Sequence, residues 1–233
     1  MLLIFAIVAL CCVVAIGGNV ALMSTKSVLV DHHNNKVKAK AKFYSVFVDT
    51  TINKLYLQNE GKVIKTYPIS AGKPKTPSPI GTWRIVSKAR WNEGFGGCWM
   101  GFNVPWGKFG IHGTRESWGI GSPISHGCIR MYNKDVLELY KLIPIGTTVK
   151  IYGGPYGAFG EGFRTIKSGQ FGADVYEIQR VLKEKGYFHG YVNGNFDAAT
   201  LYAVRSFQKK HHMKVRDLVD GEFYSKLGIK LME

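Results

Sequence analysis

Two hydrophobic periods divide the chain. From residue 43 the apolar positions alternate, as in Tyr44, Val46 and Val48, then Leu55 and Leu57. β-Branched and aromatic runs follow at residues 63–69 and 82–86, which predicts strands. Turn chemistry separates them at Asn59-Glu60-Gly61 and between Ala71 and Pro79. One helix is predicted inside this region: Asn133 as N-cap, Val136, Leu139, Tyr140 and Ile143 on one face, and Pro144 as its stop. From residue 165 the period becomes helical. Val175, Ile178 and Leu182 share a face ended by Gly186; Asp197 caps a helix carrying Thr200, Val204 and Phe207; Asp220 caps a short one carrying Phe223, Tyr224 and Leu227. The phrase from Val192 to Phe196 is echoed from Val219 to Phe223, each a tight turn leading into a helix.

These periods give a working division: a leader at 1–23, a basic tether at 24–42, a mostly β domain at 43–152, a Gly-rich linker at 153–164 and a helical domain at 165–233. The leader carries no charged side chain before Lys26, which fits a signal peptide or a membrane anchor, the anchor being preferred. It lacks a basic n-region, and Lys36, Lys38, Lys40 and Lys42 follow it, which by the positive-inside tendency opposes export. Leu10 before Cys11 is too bulky for a lipoprotein signal. His32-His33 in the tether reads as a solvated pair.

The net charge of +15 comes as +4 over residues 26–42, +8 over 43–152, 0 over 153–164 and +3 over 165–233. Such a chain is drawn to polyanions, and the leader favours anionic wall polymers over nucleic acid. No recognisable nucleic-acid module accompanies the charge, so no nucleic-acid partner is expected. Of the 4 cysteines two lie in the leader, leaving Cys98 and Cys128, which is not a disulfide framework.

The richest cluster of reactive side chains is Ser125-His126-Gly127-Cys128-Ile129-Arg130, preceded by Ile111-His112-Gly113-Thr114. A free thiol ionises near pH 8.5, so a nucleophilic Cys128 needs a partner, and a loop can bring His112 to it. A third group must orient the imidazole; a backbone carbonyl near Gly113 is preferred over Glu116. Gly127 permits close backbone approach, and the N–H groups of Gly127 and Cys128 are candidate oxyanion donors. Two plainer readings stand beside this one: a buried structural cysteine, and a zinc site of His112, His126 and Cys128 without a fourth ligand.

Together these motifs, with the phrase from Thr76 to Trp83, resemble the YkuD-type L,D-transpeptidase catalytic domain over residues 43–152. Residues 165–230 resemble a PG_binding_1-type peptidoglycan-binding domain, through the phrases from Gly172 to Gln179, Val192 to Asp197 and Ala203 to Gln208. The fold class implied is α+β and multidomain: a mostly β, sandwich-like catalytic domain with one helix after the motif, then a small three-helix domain. The resemblance implies a ping-pong acyl transfer. The Cys128 thiolate attacks a stem tetrapeptide at the bond before terminal D-alanine, with His112 as base, and a second stem peptide's amine resolves the thioester. It implies no cofactor and no metal, with peptidoglycan stem peptides and glycan as partners.

A monomer in the cell envelope is expected, held to the membrane if the leader stays uncleaved. An L,D-carboxypeptidase and a non-catalytic wall-binding protein are the alternatives. Ser125, His126, Arg130, Trp99 and Trp118 are candidates for the substrate pocket. His126 and Arg130 are more readily braces of the loop, and Trp91 and Trp106 are divided between groove and core. Cys98 reads as structural, with a resolving thiol as the alternative.

Overall fold

The computed structural model describes residues 43–91, 96–160 and 162–229. The described residues all fall within one compact unit, residues 41–233. The expected leader and tether, with His32-His33, lie outside the described residues.

In this unit the alternating positions form strands. β1 (Tyr44–Asp49) pairs antiparallel with β2 (Lys54–Asn59), with Val46 opposite Leu57 and Val48 opposite Leu55. All four side chains are buried on one face, as the two-residue period of a strand requires. β3 (Lys62–Pro68) forms an edge and buries only Tyr67; Val63 and Ile64 stay exposed between lysines that discourage edge-to-edge pairing.

β4 (Gly81–Arg90) serves two ladders. Its first half pairs with β8 (Thr148–Tyr152), and its second half pairs with β5 (Cys98–Phe102). The register shifts between Ile85 and Ser87, a bulge that re-aims the strand. With β6 (Gly110–Gly113) and β7 (Ile129–Met131) the order is β3-β2-β1-β8-β4-β5-β6-β7. One core collects Leu55, Ile85, Met100, Ile111, Ile129 and Val149 from across the sheet, with Val136 and Leu139 of α1 (Asn133–Leu142).

The cap of α1 differs from the expectation. Tyr132 is the N-cap and Asn133 the first helical residue. The Asn133 side chain is used elsewhere: its Oδ1 accepts the Thr114 N–H at 2.9 Å, pinning the chain just after His112-Gly113.

A second core is built by α2 (Ala173–Glu184), α3 (Ala198–Lys210) and α4 (Gly221–Leu227), holding Val175, Ile178, Leu182, Val204, Phe207 and Phe223. Asp197 and Asp220 cap α3 and α4, their carboxylates accepting the N–H groups of Thr200 and Phe223. The echoed phrases are therefore not equivalent: Asp220 caps from inside its phrase, whereas the cap of the other is Asp197, just beyond it. Two short strands, β9 (Ile166–Lys167) and β10 (Leu218–Val219), close this domain and are too brief to leave a period in the sequence.

Buried Gln179 ties the domain together. Its amide N–H groups donate to Asn193 Oδ1, the Asn195 carbonyl and Thr200 Oγ1, and its Oε1 accepts the N–H groups of Asn193 and Gly194. Gln179→Ala leaves those donors buried without partners, so the helical domain is expected to lose about 3 kcal/mol. Urea unfolding followed by circular dichroism checks this; an unchanged midpoint would contradict it.

Candidate active site

Strand parity builds the site. In β5, β6 and β7 the residues Cys98, Met100, Ile111, Ile129 and Met131 face the core and are fully buried. The alternate positions therefore share the opposite face. Trp99 is opposite His112, and His112 is opposite Arg130, forming one row; Gly101 opposite Gly110 begins the next. Because Ile111 pairs with Ile129 in a parallel ladder, Cys128 falls beside Gly110 in that second row. Cys128 and His112 are then diagonal neighbours on adjacent strands, with Cα atoms about 8 Å apart.

Gly110 and Gly101 keep the row around Cys128 open. A Cβ at Gly110 would come within 2.8 Å of the Trp99 ring, and one at Gly101 within 2.8 Å of the Trp99 Nε1. The indole therefore lies across both glycines. It is stacked between Trp91 and the His112 ring, with centroid separations of 6.0 Å and 5.8 Å. A cavity of about 600 Å³ opens there, its walls including Trp91, Trp99, Val104, Lys108, Phe109 and Cys128.

His112 Nδ1 lies 2.6 Å from the Gly113 carbonyl oxygen. A carbonyl only accepts, so Nδ1 carries the proton and Nε2 is the acceptor nitrogen of the neutral ring. The motif loop is held from below. Ser125 Oγ donates to the Cys128 carbonyl at 2.6 Å and accepts the Gly127 N–H at 3.0 Å. The stretch after β3 clamps it: Ser70 and Arg130 exchange two backbone bonds, and Ser125 bonds Ala71 and Lys73. Gly127 sits at φ +112°, and a Cβ there would meet Phe109 at 2.6 Å, so this position takes only glycine.

Electrostatics leave both partners neutral at rest. Burial pushes the Cys128 thiol above its ordinary range, only partly offset by a backbone bond from Gly110 and by Arg130. Burial likewise holds His112 below 6.5, against the pull of the Gly113 carbonyl and with Arg130 adding to the depression.

Residues 44–151 match the family model YkuD, L,D-transpeptidase catalytic domain. Residues 171–223 match PG_binding_1, described as a "Putative peptidoglycan binding domain". The "Putative L,D-transpeptidase YkuD" of Bacillus subtilis is 42% identical over 110 residues, covering 46% of this chain and 65% of that protein. The "Putative L,D-transpeptidase YqjB" of Bacillus subtilis is 34% identical over 122 residues, covering 46% of this chain and 69% of that protein. The chain belongs to the L,D-transpeptidase family. It spans about 65% of the length of the first of these relatives. The catalytic domain of the Enterococcus faecium L,D-transpeptidase, solved by NMR, is 24% identical at a TM-score of 0.42, covering 47% of this chain and 96% of that one.

The L,D-transpeptidase domain places the candidate residues unequally. Cys128, His112, Trp99 and Arg130 share the open face. Arg130 pairs with Glu116 at 2.6 Å, so Glu116 braces the arginine and not the imidazole. Ser125 is fully buried, and its hydroxyl closes the motif turn instead of facing a substrate. His126 is exposed, and Trp118 is 77% exposed and no part of the cavity wall. The Gly127 N–H, a candidate oxyanion donor, is engaged by Ser125 and would have to leave it to serve.

Cys98 sits on the core face, its thiol pushed up to about 11 by burial, so a resolving role toward Cys128 has no geometric support. Among the described residues no group of three His, Cys, Asp or Glu side chains is placed to hold a metal. Sequence reasoning missed Gly110, Phe109 and Lys108. Gly110 had a usable signal, standing two residues before His112 in a strand of period two.

Proposed function

We propose that this chain is a peptidoglycan L,D-transpeptidase that cross-links stem peptides through a thioester on Cys128. The observation that carries the reading is that Cys128 lines the cavity, one strand across and two residues along from a buried imidazole whose Nδ1 is fixed by the Gly113 carbonyl.

The chemistry follows from the two neutral partners. As a donor carbonyl enters the cavity, the Sγ proton passes to His112 Nε2 while sulfur attacks, so charge appears only as the bond forms. His112 then gives that proton to departing D-alanine. An acceptor amine then attacks the thioester carbonyl; the C–N bond forms, the C–S bond breaks, and the amine's proton passes through the same nitrogen to the departing sulfur, restoring the Cys128 thiol. The Cys128 N–H supplies an oxyanion contact, and Trp99 and Phe109 wall the donor's stem. Residues 43–152 would be the catalytic domain, 153–164 the linker and 165–233 the module that holds peptidoglycan glycan and peptide.

The site of action is the extracytoplasmic cell wall. Among the described residues no helix is long and apolar enough to cross a membrane, so attachment would rest on residues 1–23, with 24–42 as a basic tether toward anionic wall polymers. The protein acts as a monomer, with no nucleic-acid partner and no cofactor.

The test is to incubate the protein with a stem tetrapeptide and an amine acceptor, reading D-alanine and cross-linked product by mass spectrometry. Both are expected. Release without cross-linking would make it an L,D-carboxypeptidase, and neither product would leave a wall-binding protein.

The pH dependence has a definite sign. His112 must be neutral, so activity is present above its folded value and lost as pH falls through it, and burial places that value below 6.5. The thiol starts protonated, and burial moves its titration upward. The plot of kcat/KM against pH should therefore show an acid limb, activity falling as pH drops, centred below pH 6.5, and stay flat through neutrality. An acid limb centred above neutrality would contradict this assignment.

A further inference from the structure

The helical domain does more than sit beside the catalytic one. Tyr176 leaves α2 on the side away from the helical core and enters an aromatic cluster with Trp83 and Trp106, at centroid separations of 5.6 Å from each. Trp83 and Trp106 themselves meet edge to face at 5.2 Å. Gly194, in the turn that Gln179 fastens to α2, lies so close that a Cβ there would stand 2.4 Å from the Trp106 ring.

From this cluster two segments run to Cys128. One is the β5–β6 connection: Trp106 packs on Phe109 at 6.5 Å, and Phe109 and Lys108 line the cavity, Phe109 also resting against Gly127. The other is the stretch before β4. Trp83 Nε1 donates to the Pro79 carbonyl at 2.7 Å, and the Pro77 carbonyl also stands against Gly127, 3.1 Å from where its Cβ would be. Both segments that meet Gly127 are thus anchored on one cluster, and the helical domain packs against it through Tyr176 and Gly194.

We infer that the helical domain positions the active site, with Tyr176 and the Gly194 turn holding Trp106 and Trp83, and through them the Phe109 and Pro77 walls around Cys128. This deepens the transpeptidase reading and rests on it for the activity readout. The physical reason is rigidity. A cavity wall made of loop keeps its geometry only if its outer side is packed, and displacements of about 1 Å near reacting atoms can cost large factors in rate.

The test uses the full chain with Tyr176→Ala, Gly194→Ala and Tyr176→Phe. Tyr176 is outside the helical core, so circular dichroism should show both domains folded. The donor is a soluble stem tetrapeptide, too small to engage both domains. Tyr176→Ala and Gly194→Ala are expected to lower kcat about tenfold with KM little changed, and Tyr176→Phe to restore it. Binding to isolated peptidoglycan should stay as in the parent. A second readout needs no turnover: iodoacetamide alkylation of Cys128, followed by peptide mapping, should speed up about threefold in both variants as the walls loosen.

Parental kcat and alkylation rate in both variants would overturn the inference, as would a loss that Tyr176→Phe leaves unrepaired. A parent protein that releases no D-alanine would sink the transpeptidase reading alone, and the alkylation comparison would still decide the positioning role.

Discussion

Replacing Cys128 with alanine is expected to cut D-alanine release by at least about 10⁴-fold, the scale seen when a covalent nucleophile is removed. The size follows from the proposed chemistry, because without sulfur the cavity holds no group that forms the acyl intermediate. The fold should survive. Cys128 is half-buried, lines the cavity and stands outside the core cluster, and the turn around it is held by Ser125 and the Ser70–Arg130 pair, not by its side chain. The melting temperature should therefore stay close to that of the parent while activity disappears. Release within tenfold of the parent would refute the nucleophile assignment, and combined loss of activity and melting transition would point to a structural cysteine.

The second large effect belongs to His112. His112→Ala is expected to lower kcat/KM about 10³-fold, within the usual range for removing a general base. His112→Asn separates base from brace. An asparagine amide can still donate toward the Gly113 carbonyl but offers no basic nitrogen, so activity should stay low while the β6 edge keeps its packing. Both variants should also lose the acid limb of the pH profile. Activity of His112→Asn near that of the parent would reduce the imidazole to a spacer.

Much of this site was legible in the sequence because strand chemistry leaves a period. Val46, Val48, Leu55 and Leu57 announced their shared face, and Ile111 and Ile129, flanking His112 and Cys128, are the core positions that turn both reactive groups outward together. The helical caps Asp197 and Asp220 were equally readable, since a carboxylate just ahead of an apolar face has one common use.

What escaped has physical causes. Asn133 has a cap-like residue type and position, but its amide serves Thr114, and the competing hydrogen bond is visible only in three dimensions. Ser125 looked exposed to substrate because its neighbours are reactive, yet its hydroxyl satisfies two backbone groups of its own turn. Trp118 was grouped with Trp99 by composition, whereas only Trp99 stands on a strand whose parity faces the cavity. The direction of the Cys128 and His112 shifts could not be read at all, because it depends on how deeply each group is buried, and no spacing rule reports that. The link from Tyr176 to Phe109 joins residues that the sequence sets in different domains.

The most direct measurement is intact-mass analysis of the protein mixed with a stem tetrapeptide and no acceptor, followed by peptide mapping. The account predicts an adduct equal to the donor less D-alanine, on the peptide containing Cys128, discharged when an amine acceptor is added. D-Alanine released with no such adduct, or with the adduct on another residue, would contradict it.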